Sequence, residues 1–157
     1  MNRPAEAAGF DELQDLYSKV LRDLARNPAH RGRLENATAT ARGNNPMCGD
    51  RVELFVNLDG ARITEAMFMG RGCEISQASA ALLTELVRGK SPEEARALGQ
   101  AVAHMARSGE RDETSEDLAR LSVFSVVKNF PSRAKCATLA WHALDAALAG
   151  VKETSSE

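Results

Sequence analysis

The segment "RVELFVNLDGARITEAMFMG", residues 51–70, determines the fold because it predicts a β-hairpin. Apolar residues stand at every second position from Val52 to Leu58, and residues between them are mostly polar. This alternation is typical of a strand that buries one face. Asp59-Gly60, which follows, is one of the strongest short signals for a two-residue hairpin turn. We therefore expect two antiparallel strands joined by a tight turn.

The return strand, residues 61–69, has an irregular pattern. Its apolar residues are Ile63, then Ala66 and Phe68, so the buried face changes parity midway. An extra residue in one strand of a pair produces this change, and we expect a β-bulge. A polar segment upstream predicts a short edge strand over residues 34–41. The sequence thus predicts a small three-stranded antiparallel sheet.

The rest of the chain has a helical pattern, with apolar residues three and four positions apart. Strands followed by a run of helices favour an α+β fold in which the helices pack on one face of the sheet. The predicted helices cover residues 11–26, 74–88, 91–108, a short stretch ending at 121, and 132–149.

The length of 157 residues predicts one domain over residues 1–157, with disordered tails at 1–9 and 151–157. Hydrophobic residues make up 43% and charged residues 27%, as in ordinary globular proteins. The formal net charge of −2 gives no electrostatic reason to expect nucleic acid or a membrane as partner. No apolar run is long enough for a membrane span or a secretory signal, so we expect a cytoplasmic protein.

The three cysteines are Cys48, Cys73 and Cys136, and no C-x-x-C pair occurs. Their spacing alone is a weak signal for a metal site. Most free cysteines are small buried hydrophobic residues. In a reducing compartment these thiols are expected to be free, metal-bound or reactive rather than paired in disulfides.

The local context of the cysteines favours chemistry. Cys48 lies in the loop sequence "GNNPMCGD", two residues before Asp50. Cys73 and Cys136 fall at predicted helix N-termini, where the helix dipole favours a thiolate. Three thiolates and one carboxylate form the four-ligand set that zinc prefers, with the oxygen as the ligand most easily displaced. The residues alone leave open whether the cysteines share a site or are inert in the core.

Three motifs resemble a known family: "NNPMCGD", "GRGCEISQASA" and "FPSRAKCATLAWHAL". In that order they are similar to the iron–sulfur cluster assembly family of the NifU N-terminal domain and IscU, over roughly residues 10–150. Two features resemble its SufU branch: an extra stretch at residues 99–116, and Lys135 before Cys136 where IscU-type scaffolds carry histidine. One departure is Ala81, where these proteins often have serine.

The resemblance implies a zinc site and a partner enzyme. In SufU-like proteins four residues bind zinc, and here they correspond to Cys48, Asp50, Cys73 and Cys136. Such proteins take sulfane sulfur from a SufS-type cysteine desulfurase that uses pyridoxal phosphate. A downstream iron–sulfur scaffold or acceptor is then expected to receive the sulfur.

The resemblance also implies roles for individual residues. We expect Cys48 to be the sulfur acceptor, because its loop at residues 43–49 can swing out while the other two cysteines are anchored on helices. Arg133 corresponds to an arginine that the branch keeps beside the site. Together with Arg71 it could stabilise the anionic sulfur in transit.

Two alternatives stay open at this point. The same thiolates and Asp50 could hold a nascent [2Fe–2S] cluster on a scaffold, since thiolates bind zinc and iron–sulfur clusters alike. Lys135 in place of histidine favours sulfur transfer over this reading. The third reading is a structural zinc domain that only binds partners, and it predicts a closed site.

The histidines show no ligand spacing and are expected to be structural or exposed: His30, His104 and His142.

Overall fold

The computed structural model describes residues 5–27, 29–47 and 49–155, with side chains described from residue 12 onward. It confirms the predicted α+β class. The elements, in chain order, are α1 (Ala5–Arg26), β1 (Ala39–Asn45), β2 (Asp50–Asp59), β3 (Arg62–Arg71), α2 (Glu74–Leu86), α3 (Pro92–Ser108), α4 (Glu116–Leu121), α5 (Ala134–Leu148) and β4 (Glu153–Ser155). Two 3₁₀ segments, Ser122–Asn129 and Pro131–Arg133, connect α4 to α5.

The β2–β3 hairpin forms as predicted, with its turn one residue later than expected. Asp59 pairs with Arg62, so the two connecting residues are Gly60 and Ala61. Gly60 has φ +61°, a conformation that glycine adopts at the first position of such turns.

The predicted β-bulge is confirmed. Asn57 pairs with Glu65, whereas the next residue, Leu58, pairs with Ile63. Thr64 is therefore the extra residue in β3. It restores the alternation, so that Ile63 and the apolar residues beyond the bulge all face the core.

The first strand lies later in the chain than predicted. It spans Ala39–Asn45 instead of residues 34–41 and pairs antiparallel with β2, with Asn45 opposite Asp50. The expected loop at residues 43–49 is therefore wrong in extent. Only residues 46–49 lie between the two strands, and the described ones among them, 46, 47 and 49, are in a turn.

Gly43 explains why a strand continues through a loop-like sequence. A β-carbon at Gly43 would lie 3.1 Å from side-chain atoms of both Leu139 and Val52. The glycine therefore lets α5 pack closely on β1. A residue that favours a loop in the sequence is here required by helix–sheet packing.

The sheet has four strands rather than three, and it is mixed rather than antiparallel. β4 runs parallel to β1, giving the order β3-β2-β1-β4. The expected tail at residues 151–157 thus contains a strand, while residues 156 and 157 lie outside the described part. β4 consists of three residues with polar side chains, which give no alternation signal in the sequence. Backbone pairing with β1 stabilises this segment: the Arg42 N–H donates to the Lys152 carbonyl at 2.8 Å.

The first helix is longer than predicted. α1 begins at Ala5, six positions before the expected start at residue 11 and inside the expected tail at 1–9. Its first four residues, "AEAA", have high helix propensity but lack the apolar spacing used to predict the helix. Residues 1–4 lie outside the described part.

The core lies between one face of the sheet and the helices, as predicted. The inward-facing strand residues and the helix residues that meet them are fully or almost fully buried, and they include Leu54, Val56, Phe68, Leu82, Leu83, Leu139, Trp141 and Leu144. α2 and α5 therefore lie side by side over the sheet. Their N-terminal ends meet where β3 ends and β2 begins.

Among the helices of the described residues, none combines the length and apolar character needed to cross a membrane.

Candidate metal centre

Three of the four predicted ligands converge in the fold. One ligand atom from each of Asp50, Cys73 and Cys136 lies within 4.8 Å of the other two. Asp50 and Cys136 are buried and Cys73 is half-buried. The fourth predicted ligand, Cys48, lies outside the described residues; it belongs to the short connection just before Asp50.

Asp50 is positioned by the first pair of β2. Buried residues alternate along this strand from Asp50 through Val52 to Leu54, so its carboxylate points toward the core. One oxygen, Oδ1, accepts a hydrogen bond from the backbone N–H of Cys73 at 3.0 Å. The other, Oδ2, lies 3.8 Å from the Cys73 sulfur. The carboxylate thus holds the start of α2 and also faces the sulfur atoms.

Gly72 makes room for this carboxylate. A β-carbon at Gly72 would lie 2.4 Å from Oδ1 of Asp50 and 2.5 Å from the hydroxyl oxygen of Ser76. Any side chain would displace one or both groups. The second glycine of the "GRGC" motif is therefore a steric requirement of the site.

Cys73 is the N-cap residue of α2, and its thiol is more acidic than an ordinary cysteine thiol. The pKa of Cys73 is lowered to about 6, chiefly because the Cys136 thiol donates a hydrogen bond to it. The backbone N–H and the hydroxyl of Ser76 lower this pKa further, while burial and the charge of Asp50 oppose the change. Without metal, Cys73 is therefore the cysteine of the pair that loses its proton first.

Cys136 lies in the first turn of α5 and is fully buried. Its pKa is raised, because its thiol donates to Cys73 and because it is buried beside Asp50. The shared proton consequently stays on Cys136. The cluster carries negative charge on Cys73 and Asp50, which favours a cation.

The donor set fits zinc. Tetrahedral zinc with Zn–S near 2.3 Å and Zn–O near 2.1 Å requires donor atoms about 3.5–3.8 Å apart. The Cys73 sulfur and Asp50 Oδ2 already lie 3.8 Å apart, and all three donors lie within 4.8 Å. Small side-chain adjustments would close the set around one ion, and thiolates with a carboxylate are ligands that zinc accepts.

A buried polar contact joins the two helices that carry the cysteines. Ser79 of α2 is fully buried and donates to the backbone carbonyl of Ala137 at 2.6 Å. It accepts a hydrogen bond from the indole N–H of Trp141 at 3.1 Å. Trp141 is itself buried in the core, and the sequence gives no signal for this contact. The bond ties α2 to α5 one residue beyond Cys136.

Asn45 is a second residue that sequence reasoning missed. It is fully buried, and its amide nitrogen lies 3.8 Å from the Cys136 sulfur. With β1 expected to end at Ala41, no parity could be assigned to it. Once the strand extends, the buried alternation of Ala41, Gly43 and Asn45 places it on the core face.

The two predicted arginines are both exposed. Arg133 is the residue immediately before α5, three positions ahead of Cys136. Arg71 ends β3, two positions ahead of Cys73, and pairs with Arg51 in β2. These positive charges lie on the chain segments that lead into the two cysteines. Their expected role toward anionic sulfur stays a prediction.

None of the histidines belongs to the ligand cluster found in the described part of the chain. His30 is half-buried and contacts the Arg88 guanidinium. His104 is exposed and pairs with Glu110 at 2.8 Å, and His142 is exposed on α5. The structural or exposed placement expected for them is confirmed.

Comparison with known proteins places this geometry in a family. Residues 16–137 match the family model described as NifU-like N terminal domain. The "Zinc-dependent sulfurtransferase SufU" of Bacillus subtilis (strain 168) is 40% identical over 137 residues, which cover 87% of this chain and 92% of that protein. The "Iron-sulfur cluster assembly scaffold protein IscU" of Streptococcus pyogenes serotype M1 is 39% identical over 139 residues, covering 88% and 86%. Similarity alone therefore does not separate the two named roles.

A solved structure supports the same family assignment. The SUF-system protein FiSufU from Fervidobacterium islandicum AW-1 superposes with a TM-score of 0.78 at 36% identity, covering 86% of this chain and 98% of that one. The chain belongs to the NifU-like N-terminal domain family, among its SufU- and IscU-like proteins of iron–sulfur cluster assembly.

Proposed function

We propose that this protein is a zinc-dependent sulfur acceptor in iron–sulfur cluster assembly, which takes persulfide sulfur from a SufS-type cysteine desulfurase and stimulates that enzyme. The observation that carries the proposal is the cluster of Asp50, Cys73 and Cys136, whose ligand atoms lie within 4.8 Å of one another. The similarity to a protein named as a zinc-dependent sulfurtransferase supports it.

Four residues form the proposed zinc site: Cys48, Asp50, Cys73 and Cys136. Bound zinc keeps its cysteine ligands deprotonated at neutral pH. Asp50 supplies the oxygen donor, which binds zinc less tightly than a fourth sulfur would. Such a site is open to ligand exchange, in contrast to the closed four-cysteine sites of structural zinc domains.

Cys48 is the proposed acceptor. Its neighbours Met47 and Gly49 are exposed, Met47 to 77%, whereas Cys136 is fully buried and Cys73 half-buried. A bulky partner can approach the turn at residues 46–49 more readily than the helix starts. The exposed Met47 side chain is an apolar contact point for that partner beside the acceptor.

The transfer is a thiolate–persulfide exchange. The Cys48 thiolate attacks the outer sulfur of the desulfurase persulfide, and a new S–S bond forms on Cys48. The S–S bond within the desulfurase persulfide breaks, and its cysteine leaves as a thiolate. Arg133 and Arg71 are placed to attract the anionic sulfur species during this exchange. A downstream scaffold or acceptor later removes the sulfur.

The proposal is tested with protein purified without added metal. Zinc and iron are quantified, and the protein is incubated with a pyridoxal-phosphate cysteine desulfurase and cysteine. We expect bound zinc, a one-sulfur mass increase on Cys48, and faster desulfurase turnover. A Cys48→Ser variant that still accepts sulfur and stimulates the desulfurase fully would refute the assignment of the acceptor.

A scaffold for a [2Fe–2S] cluster is the second candidate, favoured by the 39% identity to a protein named as an IscU scaffold. Thiolate and carboxylate donors also suit such a cluster. Lys135, in place of the histidine that IscU-type scaffolds carry, weighs against it. A visible cluster that forms on this protein and moves intact to an apo-acceptor would establish the scaffold role instead.

A structural zinc domain is the third reading. It predicts that removing zinc unfolds the chain while Cys48→Ser leaves every activity intact. The same two samples, chelated wild type and the serine variant, therefore distinguish it from sulfur transfer.

A further inference from the structure

Asn45 is a polar residue that the transfer chemistry does not use, although it is buried beside the sulfur atoms. It is the last residue of β1, opposite Asp50, and its exposed fraction is 0%. The preceding residue, Asn44, is exposed. A buried amide is retained when its hydrogen bonds compensate for the loss of water. The partners of Asn45 therefore indicate what it does.

Two contacts fix the orientation of the Asn45 amide. Its oxygen accepts a hydrogen bond from the backbone N–H of Met47 at 3.2 Å. Its nitrogen lies 3.8 Å from the Cys136 sulfur. Because a backbone N–H can only donate, the amide oxygen must face Met47 and the NH₂ group must face the sulfur. The reverse orientation would oppose two donors and direct an oxygen lone pair at the sulfur.

An N–H donor changes the chemistry of a thiolate. A hydrogen bond to the charged form stabilises that form, so the sulfur becomes less basic and a weaker nucleophile. Groups that hydrogen-bond to metal ligands also orient them and tune their affinity. Asn45 acts in this sense on Cys136 once that residue is a thiolate ligand.

The same residue holds the chain on both sides of Cys48. The Gly49 N–H donates to the Asn45 backbone carbonyl at 2.9 Å, and the Met47 N–H donates to the Asn45 side chain. The residues on either side of Cys48 are thus both bonded to Asn45. One side chain connects the exposed turn with the buried sulfur of α5.

We propose that Asn45 is a positioning residue that makes the cysteines of this site chemically unequal. Its N–H group keeps Cys136 an anchored, weakly nucleophilic ligand, and its oxygen holds Met47, the residue next to Cys48. The inference rests on the proposed function, because it explains why sulfur is accepted at Cys48 and not at Cys136. Asn45 thus faces a cysteine that would bind zinc as a thiolate, and it supplies that thiolate with a hydrogen-bond donor.

The first test compares cysteine reactivity in the zinc-loaded full-length chain. Asn45→Asp keeps the shape and the oxygen toward Met47 but removes the donor, and Asn45→Ala removes both contacts. Asn44→Ala is the matched control at the exposed neighbour. Iodoacetamide labelling is followed for Cys136 and Cys48 by peptide mass spectrometry.

We expect Cys136 to be labelled about tenfold faster in both Asn45 variants and at the wild-type rate in Asn44→Ala. An unchanged ratio of Cys136 to Cys48 labelling in the Asn45 variants would overturn the inference. Should Asn45→Asp not fold, by circular dichroism, Asn45→Ala alone decides the outcome.

The second test uses cobalt(II) in place of zinc, because its thiolate charge-transfer band reports the electron density on sulfur. Losing the N–H donor shifts this band to longer wavelength in the Asn45 variants but not in Asn44→Ala. A merely structural residue would change cobalt affinity without moving the band, and that result would contradict the role given to Asn45. If the band shifts while wild-type Cys48 accepts no sulfur from the desulfurase, the proposed function fails and the role of Asn45 stands.

Discussion

The two sides of the candidate metal centre are built differently. Cys73 and Cys136 start helices that the sheet and a buried serine contact hold in place, and Asp50 bonds to the backbone of Cys73. The other side is the short segment around Cys48, where the exposed residues Met47 and Gly49 both donate hydrogen bonds to Asn45. The difference teaches that a site can keep a metal with one set of ligands and do chemistry with another. We call Asp50, Cys73 and Cys136 the helix side, and the residues from 46 to 49 the turn side.

The largest expected effect concerns acidity on the helix side. In zinc-free protein the pKa of Cys73 is about 6, lowered chiefly by the hydrogen bond from Cys136. Because the thiolate is the reactive form, iodoacetamide labelling of Cys73 should be near its maximum at pH 7 and fall as the pH drops through 6. Cys136, whose pKa is raised, should label poorly across the same range.

Peptide mass spectrometry at a series of pH values measures both cysteines in one sample. A Cys73 profile with its midpoint near the ordinary thiol value of about 8.5 would contradict this difference. It would mean that the helix side supplies no preformed thiolate.

Gly72→Ala should disable the helix side. The added β-carbon would fall 2.4 Å from the Asp50 carboxylate and would force it away from the Cys73 backbone. We expect zinc affinity, measured by competition with a chromogenic chelator, to fall about 10- to 100-fold.

Gly150→Ala is the control for losing a glycine. Gly150 has φ +76° and open space around its missing β-carbon, so only backbone strain is added. Equal zinc affinity for Gly72→Ala and wild type would show that zinc binding does not depend on the present position of the Asp50 carboxylate.

Ser79→Ala should loosen the helix side without touching a ligand. It leaves the buried indole N–H of Trp141 and the Ala137 carbonyl without their partner, which costs about 1–3 kcal/mol of unfolding free energy. Urea denaturation measures the change. Thr138→Ala is the control, because the hydroxyl of Thr138 donates to carbonyls of its own helix, and its loss should change stability by less than about 0.5 kcal/mol. A loss in Ser79→Ala no larger than in the control would rule out the tie between α2 and α5.

The sequence predicts the helix side better than the turn side, for physical reasons. The alternation in β2, the bulge in β3 and the start of α2 all follow from local sequence patterns, and all three match the structure. Together they determine where Cys73 lies. The end of β1 does not follow from a local pattern, because Gly43 resembles a loop residue until α5 packs on it. Asn45 was missed for the same reason.

β4 shows the same limit at the other end of the chain. Its residues, Glu153–Ser155, are polar and short, and their pairing with β1 depends on a strand over a hundred residues earlier. The convergence of Asp50, Cys73 and Cys136 also depends on tertiary packing. In the sequence it could be inferred only from the resemblance of three motifs to a family.

The smallest expected effect concerns the turn side. Met47 is 77% exposed beside the proposed acceptor, and Met47→Ala should weaken the approach of the desulfurase by a few-fold, about 1 kcal/mol. The concentration of this protein needed for half-maximal desulfurase stimulation should rise, with zinc content unchanged. Leu16→Ala on α1, where the side chain is 55% exposed, is the matched control. Equal shifts in the two variants would remove Met47 from the docking surface.

The most direct test of the division between the two sides is to locate the transferred sulfur. Zinc-loaded wild-type protein is incubated with the desulfurase and cysteine, blocked with an alkylating agent, and mapped by peptide mass spectrometry. The account predicts the added sulfur on Cys48, with Cys73 and Cys136 unmodified. Sulfur found on Cys73 or Cys136, or on no cysteine while the desulfurase turns over, would contradict it.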